Sequence, residues 1–220
     1  MKDIEPAETE LVKKLVTGNM ICLDIGANEG YFTTLMAKQC KYVYSFEAEP
    51  RNYAILSANC HEQKLDNVTA RSVIVSDNDG WGKLYLCIGD YNGADGMHRI
   101  YPSKWCSDIA ISVPSITIDK YLECAAIDFI KMDIEGSELG ALKGMQRMLE
   151  KDRPLLLMEF HPPSIEEYGS DPRDVYDFMI NLNYDIRLGP HWNTPISFEN
   201  LMKETMKEPS GRNVFCRWKG

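Results

Sequence analysis

The chain alternates short apolar runs with stretches of helical spacing. Over residues 5–16, Leu11, Val12, Leu15 and Val16 fall on one helical face. Pro6 stands at a tolerated first-turn position and Gly18 stops the run, which predicts a leading helix within residues 1–18. The apolar run MICLDI at 20–25 is broken by DIGANEG, and helical spacing resumes through Phe32, Leu35 and Met36. This reads as strand, glycine loop, helix. The unit recurs as KYVYSFE at 41–47, a helix over about 50–62 and a strand NVTARSVIV at 67–75.

After a turn signal, DNDG at 77–80, LYLCI at 84–88 and IAISV at 109–113 read as strands, with a short helix near 118–122. DFIKMD at 128–133 is followed by EGSE, which opens a helix carrying Leu139, Leu142, Met145 and Leu149. PLLLMEF at 154–160 is a buried-type strand, 171–182 a helix, and YDIRL at 184–188 and NVFCRW at 213–218 are the last strands. Strands alternating with crossover helices give a doubly wound α/β sheet with seven main strands. Its ligands sit at the carboxyl ends of the strands, where the strand order switches. The polar and aromatic stretch 89–108 has no clear period and is too long for mere connection.

At about 150 residues per domain, and with no repeat, low-complexity tract or linker, residues 1–220 are expected to form a single domain. The 44% hydrophobic and 26% charged fractions suit a globular core and exclude disordered and fibrous classes. No run of roughly 18 apolar residues occurs, and the start MKDIEPAETE carries acids where a signal peptide is basic and then apolar. A soluble, cytoplasmic protein without membrane attachment is expected. The formal net charge of −9 disfavours a nucleic-acid partner, since such a surface repels phosphate backbones. The seven cysteines are odd in number, scattered and without a CxxC pair, so they read as reduced, small buried hydrophobes. The oligomeric state is left open.

The glycine loop Asp24-Ile25-Gly26-Ala27-Asn28-Glu29-Gly30 lacks the GxGxxG spacing of a pyrophosphate site. Its glycines let backbone amides and a helix N-terminus approach a ligand, with Asp24 and Asn28 beside them. Glu47 ends the second strand 21 residues after Gly26, where an acid can take both hydroxyls of an adenosine ribose. A nucleoside cofactor is implied.

The words LDIGANEGYFT, YSFEAEP, VSDNDG, SITIDKYL, IDFIKMDIEGSELGALKG and LLLMEFH, in that order over residues 20–160, are those by which the chain resembles the FkbM-type methyltransferases. These are S-adenosylmethionine-dependent enzymes with a Rossmann-like class I fold: a seven-stranded, mostly parallel sheet with helices on both faces and an antiparallel last strand. The resemblance implies S-adenosyl-L-methionine as cofactor. Asp24, Gly26, Ala27, Asn28 and Gly30 would lie around its methionine portion, and Glu47 at the ribose. Ser76 and Asp77 would lie near the adenine, and Asp133 at the methionine amino group or reaction centre. The family usually shows proline directly after the strand-end glutamate. Here Ala48 and Glu49 intervene, and Glu47 is preferred to Glu49.

A hydroxyl acceptor needs a base. Candidates are Asp133, Glu135 and Glu138 after one strand and Glu159 with His161 after the next. His161 is the first choice because histidine titrates near neutrality, with Glu159 or Asp133 orienting it. Asp133, Glu135, Glu159 and His161 could also bind a hard divalent cation, although negative charge at the start of a helix explains Glu135 and Glu138 equally well, so the metal stays unassigned. Lys131 is expected to be salt-bridged or solvated. Tyr91, Asn92, Asp95, His98, Arg99, Tyr101 and Trp105 in 89–108 suit a substrate lid over a sugar or polyol, with Pro190-His191-Trp192-Asn193 as a second element. The expected activity is O-methylation of a hydroxyl of a sugar or natural-product intermediate, a small-molecule or glycan acceptor. The alternatives are a non-catalytic cofactor-binding regulator and, disfavoured by the missing third glycine, an NAD(P)-dependent oxidoreductase.

Overall fold

A computed structural model describes residues 5–86, 100, 102, 109–189, 192–208 and 211–220. In chain order its elements are α1 (Pro6–Leu15), β1 (Ile21–Ile25), α2 (Tyr31–Ala37), β2 (Tyr42–Phe46), α3 (Pro50–Glu62), β3 (Val68–Arg71), β4 (Ile74–Val75), β5 (Gly80–Tyr85) and β6 (Ala110–Ile116). Then follow α4 (Ile118–Tyr121), β7 (Phe129–Met132), α5 (Glu138–Gly144), α6 (Gln146–Asp152), β8 (Leu155–Phe160), α7 (Pro162–Tyr168), α8 (Pro172–Asn181), β9 (Tyr184–Leu188), α9 (Phe198–Thr205) and β10 (Arg212–Trp218).

Seven strands form one sheet in the order β3-β2-β1-β7-β8-β10-β9, and β10 runs antiparallel to both of its neighbours. The expected Rossmann-like architecture is therefore present. The chain steps outward from β1 to β2 and β3, then returns to β7 on the other side of β1, so the switch in strand order lies between β1 and β7. Alternate residues point to opposite faces. Leu23, Ile25, Ile130, Met132, Leu156 and Met158 face a core shared with α5, α6 and α8. Cys22, Val43, Phe129, Leu157 and Phe215 face α1 and α2.

Three expectations about elements are corrected. The run 67–75 is not one strand. β2 ends at Phe46 opposite Arg71, so beyond Arg71 the chain has no ladder to follow, and Ile74 and Val75 pair instead with Ser115 and Ile116 of β6. This makes a second, three-stranded sheet, β4-β6-β5, whose β5 begins at Gly80 rather than at residue 84. The helix after residue 134 is broken at Met145, because the carboxylate of Asp119 caps a separate α6 by accepting the amides of Arg147 and Met148, each at 2.9 Å. α7 and α9 are additional. Pro162 and Pro163 occupy the first turn of α7, and Gly169 at φ 100° ends it.

Cys22, Cys40, Cys60, Cys124 and Cys216 are free, and all but Cys124 are buried. Among the described residues, no helix is long and apolar enough to cross a membrane. Of the expected lid, Tyr91, Asn92, Asp95, His98, Arg99, Tyr101 and Trp105 lie outside the described residues, as do Pro190 and His191. Trp192 is buried against Gly189 rather than presented to a ligand.

Candidate active site

The carboxyl ends of β1, β2 and β7 open onto a cleft of about 710 Å³ at the switch point. Residues 24–32 line it from β1 and the following loop, Phe46, Glu47 and Ala48 from the end of β2, and Asp133, Ile134, Glu135 and Ser137 from beyond β7. Val73, Ile74, Val75, Leu84 and Ile100 supply an apolar wall, built largely by the small sheet, and Glu5 and Lys131 add a charged end.

The loop after β1 is fixed by backbone chemistry. Gly26 and Ala27 both donate to the carbonyl of Phe46, at 2.9 and 3.1 Å, and Gly30 donates to Ala27. Gly26 and Gly30 have φ of 77° and 88°, which favours glycine, and a Cβ on Gly26 would strike the backbone carbonyl of Asp133. The glycines thus serve the close passage of loop against strand end. The amides of Gly26, Ala27 and Asn28 are thus engaged inside the protein.

Glu47 is 8% exposed and accepts the amides of Asn28 at 2.7 Å and Glu49 at 2.8 Å. Burial pushes its carboxyl up to about 7, against the lowering effect of those two amides. Glu49 does not line the cleft. It caps α3 through the amide of Asn52 and pairs with Arg51. Asp24, 2% exposed, accepts the hydroxyl of Thr33 at 2.5 Å, and burial raises it to about 6 although Thr33 and Lys131 oppose this.

The strand register explains the charged end. Asp24 stands beside Ser45 on one side and Lys131 on the other, and Glu159 stands opposite Asn213. These residues share the face that carries α1 and α2. Lys131, 2% exposed, lies 3.1 Å from Oδ2 of Asp133 and over the ring of Phe32. Burial opposes its charge, but Asp133, Glu5 and Asp24 outweigh that and hold the ammonium pKa above its ordinary range. Glu5 accepts the side-chain amide of Asn213 at 3.0 Å, and burial raises its pKa.

Of the expected cofactor residues, Asp24, Gly26, Ala27, Asn28, Gly30, Glu47 and Asp133 line the cleft. Ser76 and Asp77 do not. The Ser76 hydroxyl is engaged with Ser115 and the carbonyl of Asn78, and Asp77 accepts from the Asn78 side chain. Of the expected catalytic residues, Asp133 and Glu135 line the cleft, whereas Glu159 and His161 do not. His161 is the N-cap of α7, and its Nδ1 lies 2.7 Å from Oγ of Ser164. Oxygens of Asp133, Glu135 and Glu159 lie within 4.8 Å of one another. Burial, then Asp133, Glu135 and Glu138, push the Glu159 carboxyl well above the usual range, and burial raises Glu138 to about 7. Glu5, Thr33 and Asn213 went unread: only strand register and helix docking bring them here.

The family model of the methyltransferase FkbM domain matches residues 24–186. The chain belongs to the FkbM methyltransferase family, and so to the S-adenosylmethionine-dependent methyltransferases. The solved structure of methyltransferase FkbM from Methylobacillus flagellatus is 18% identical at a TM-score of 0.58, over 91% of this chain and 44% of that one. The chain thus spans less than half the length of that relative. A Streptococcus mutans protein in complex with SAH is 12% identical at a TM-score of 0.57, over 99% of this chain and 98% of the other. An rRNA methylase from Streptococcus thermophilus is 12% identical at a TM-score of 0.53, over 100% and 99%. At these identities the structural likenesses establish the fold of the methyltransferase. No curated protein sequence matches the chain.

Proposed function

We propose that the enzyme transfers methyl from S-adenosyl-L-methionine to a hydroxyl of a sugar or natural-product intermediate. The observation that carries this reading is the cleft itself: a buried, amide-held Glu47 at one end and carboxylates around Lys131 at the other, joined across the strand-order switch. The residues fit the cofactor. Glu47 suits a ribose diol, Val73, Ile74 and Val75 suit an adenine face, and Asp24, Asn28 and Asp133 suit the methionine end. When bound, the cofactor supplies a methyl group on a cationic sulfur, and carboxylates stabilise nearby positive charge.

The protein's part is to orient the acceptor and to remove its proton. Positioning makes the step effectively unimolecular. Asp133 and Glu135, both on the cleft, are the carboxylates placed to take the hydroxyl proton, and they replace His161 in that role. α1 belongs to the same unit, since Thr9 reaches the hydroxyl of Tyr31 at 3.1 Å and Glu5 lines the cleft. This supports one methyltransferase domain over 1–220, and the free buried thiols suit a reducing cytoplasm.

The test is incubation of the protein with methyl-labelled S-adenosylmethionine and cell extract, followed by fractionation of the label. Label in small molecules or glycans supports the acceptor class. Label in nucleic acid or protein overturns it, and tight cofactor binding without transfer favours a non-catalytic regulator.

A further inference from the structure

Three acceptor oxygens are sealed from solvent and have no hydrogen-bond partner among the described residues: Oε2 of Glu159, Oε2 of Glu138 and Oδ1 of Asn213. Burying an acceptor without a partner is costly, more so when it is charged, and Glu159 belongs to a cluster of carboxylates, so its sealed oxygen calls for one. Asn213 is fixed in orientation, because its Nδ2 donates to Glu5, and it stands directly across the ladder from Glu159. Glu138 is 1% exposed, and its other oxygen accepts the amides of Gly136 and Ile134, which bracket Glu135. Asp133, Glu135 and Glu159 each bring one oxygen within 4.8 Å of the others. The backbone holds them there: Glu135 has φ 57°, and a Cβ on Gly136 would collide with the carbonyl of Ser164, so the loop after β7 is pressed against the start of α7.

We propose that Asp133, Glu135 and Glu159 bind a divalent cation of the hard class, magnesium or manganese. Three carboxylates without cysteine or imidazole select oxygen-seeking ions over zinc. His161 lies outside this cluster. Lys131 meets Asp133 through Oδ2, and a carboxylate has lone pairs for both a lysine and a cation. Asp133 and Glu135 also line the cleft, so the ion faces the acceptor end. There it would lower the pKa of a bound hydroxyl, so that its proton passes more readily to the carboxylate of Asp133 or Glu135. That role rests on the methyltransferase reading; the existence of the site does not.

The test is direct titration of the chelator-treated full chain with manganese, following free ion by electron paramagnetic resonance, alongside calorimetric titration with S-adenosylhomocysteine. One saturable manganese site is expected, weakened about tenfold or more in both Glu159→Gln and Glu135→Gln. S-adenosylhomocysteine affinity should be kept in Glu159→Gln, which shows the fold intact. Absence of saturable binding in the unaltered chain, or binding undiminished in both variants, overturns the cation site. Loss of S-adenosylhomocysteine binding with manganese binding kept strikes the cofactor assignment and leaves the cation site standing.

Discussion

Oε2 of Glu47 accepts the backbone N–H of Asn28 at 2.7 Å, so the glycine loop after β1 and the acid after β2 form one piece. Its other oxygen holds the amide of Glu49 at 2.8 Å. Remaining lone pairs of the same carboxylate can meet a ribose diol in a fixed orientation. Glu47→Ala is therefore expected to weaken S-adenosylmethionine binding by about 1.5–3 kcal/mol, measured by calorimetry. Unchanged affinity would remove Glu47 from the cofactor site.

Burial also makes Glu47 a source of pH dependence. Its folded pKa, about 7, lies above the ordinary carboxylate value of 4.5. The stability it contributes is full below that ordinary value and is lost as pH rises through the folded pKa, because the native state then gives up a proton it had held more tightly than the unfolded chain. Asp24, raised to about 6, and Glu138, raised to about 7, act in the same sense. The urea midpoint of the ligand-free protein should therefore fall between about pH 5 and about pH 8. In Glu47→Gln the fall should be smaller by on the order of 3 kcal/mol. Equal slopes in the two proteins would show that Glu47 titrates normally.

How far the sequence carries is clearest at Lys131 and Glu159. Apolar runs such as MICLDI and PLLLMEF announce their strands because burial on both faces of a parallel sheet demands them. The motif words at their carboxyl ends brought Asp24, Gly26, Glu47 and Asp133 to one cleft. What the chain did not reveal depends on partners far away in sequence. The short β4 forms because β6, about forty residues on, offers a ladder. Glu5 reaches the cleft only through the docking of α1, and His161 looked chemical until the start of α7 gave it a local partner.

Because His161 meets Ser164 at the start of α7, its loss should be felt there. His161→Ala is expected to leave turnover at neutral pH within about threefold while lowering stability by about 1 kcal/mol, the worth of one hydrogen bond. A large fall in kcat with stability unchanged would return the histidine to the mechanism.

Gly26 has φ 77° and faces the carbonyl of Asp133, with no room for a methyl group between loop and strand end. Gly26→Ala combines left-handed strain with overpacking, each costing about 1–3 kcal/mol. Relief requires the loop to move away from β7 and carry Asn28 off Glu47. Both thermal stability and cofactor affinity should fall together. An alanine variant with native affinity would show that the loop position does not matter to the cofactor.

Lys131 is the last test, because its ammonium sits where three carboxylates converge. It lies 3.1 Å from Asp133, and Asp24 and Glu5 add to the field that keeps it charged. Burying that charge is costly, and a well-packed apolar side chain could in principle match the pair. Removing only the cation, however, leaves acids facing one another without compensation. Lys131→Met should destabilise the protein by about 3 kcal/mol near neutral pH, read by urea denaturation. Adding Asp24→Asn should restore part of the loss, since it removes one of the stranded charges. The deficit of the single variant should also shrink as pH falls toward about 6, because Asp24, raised to about 6 even with Lys131 lowering it, takes up its proton at higher pH once the lysine is gone. A Lys131→Met variant as stable as the parent at neutral pH would mean that the carboxylates find another partner there, and it would place the electrostatic balance of the cleft on groups other than this lysine.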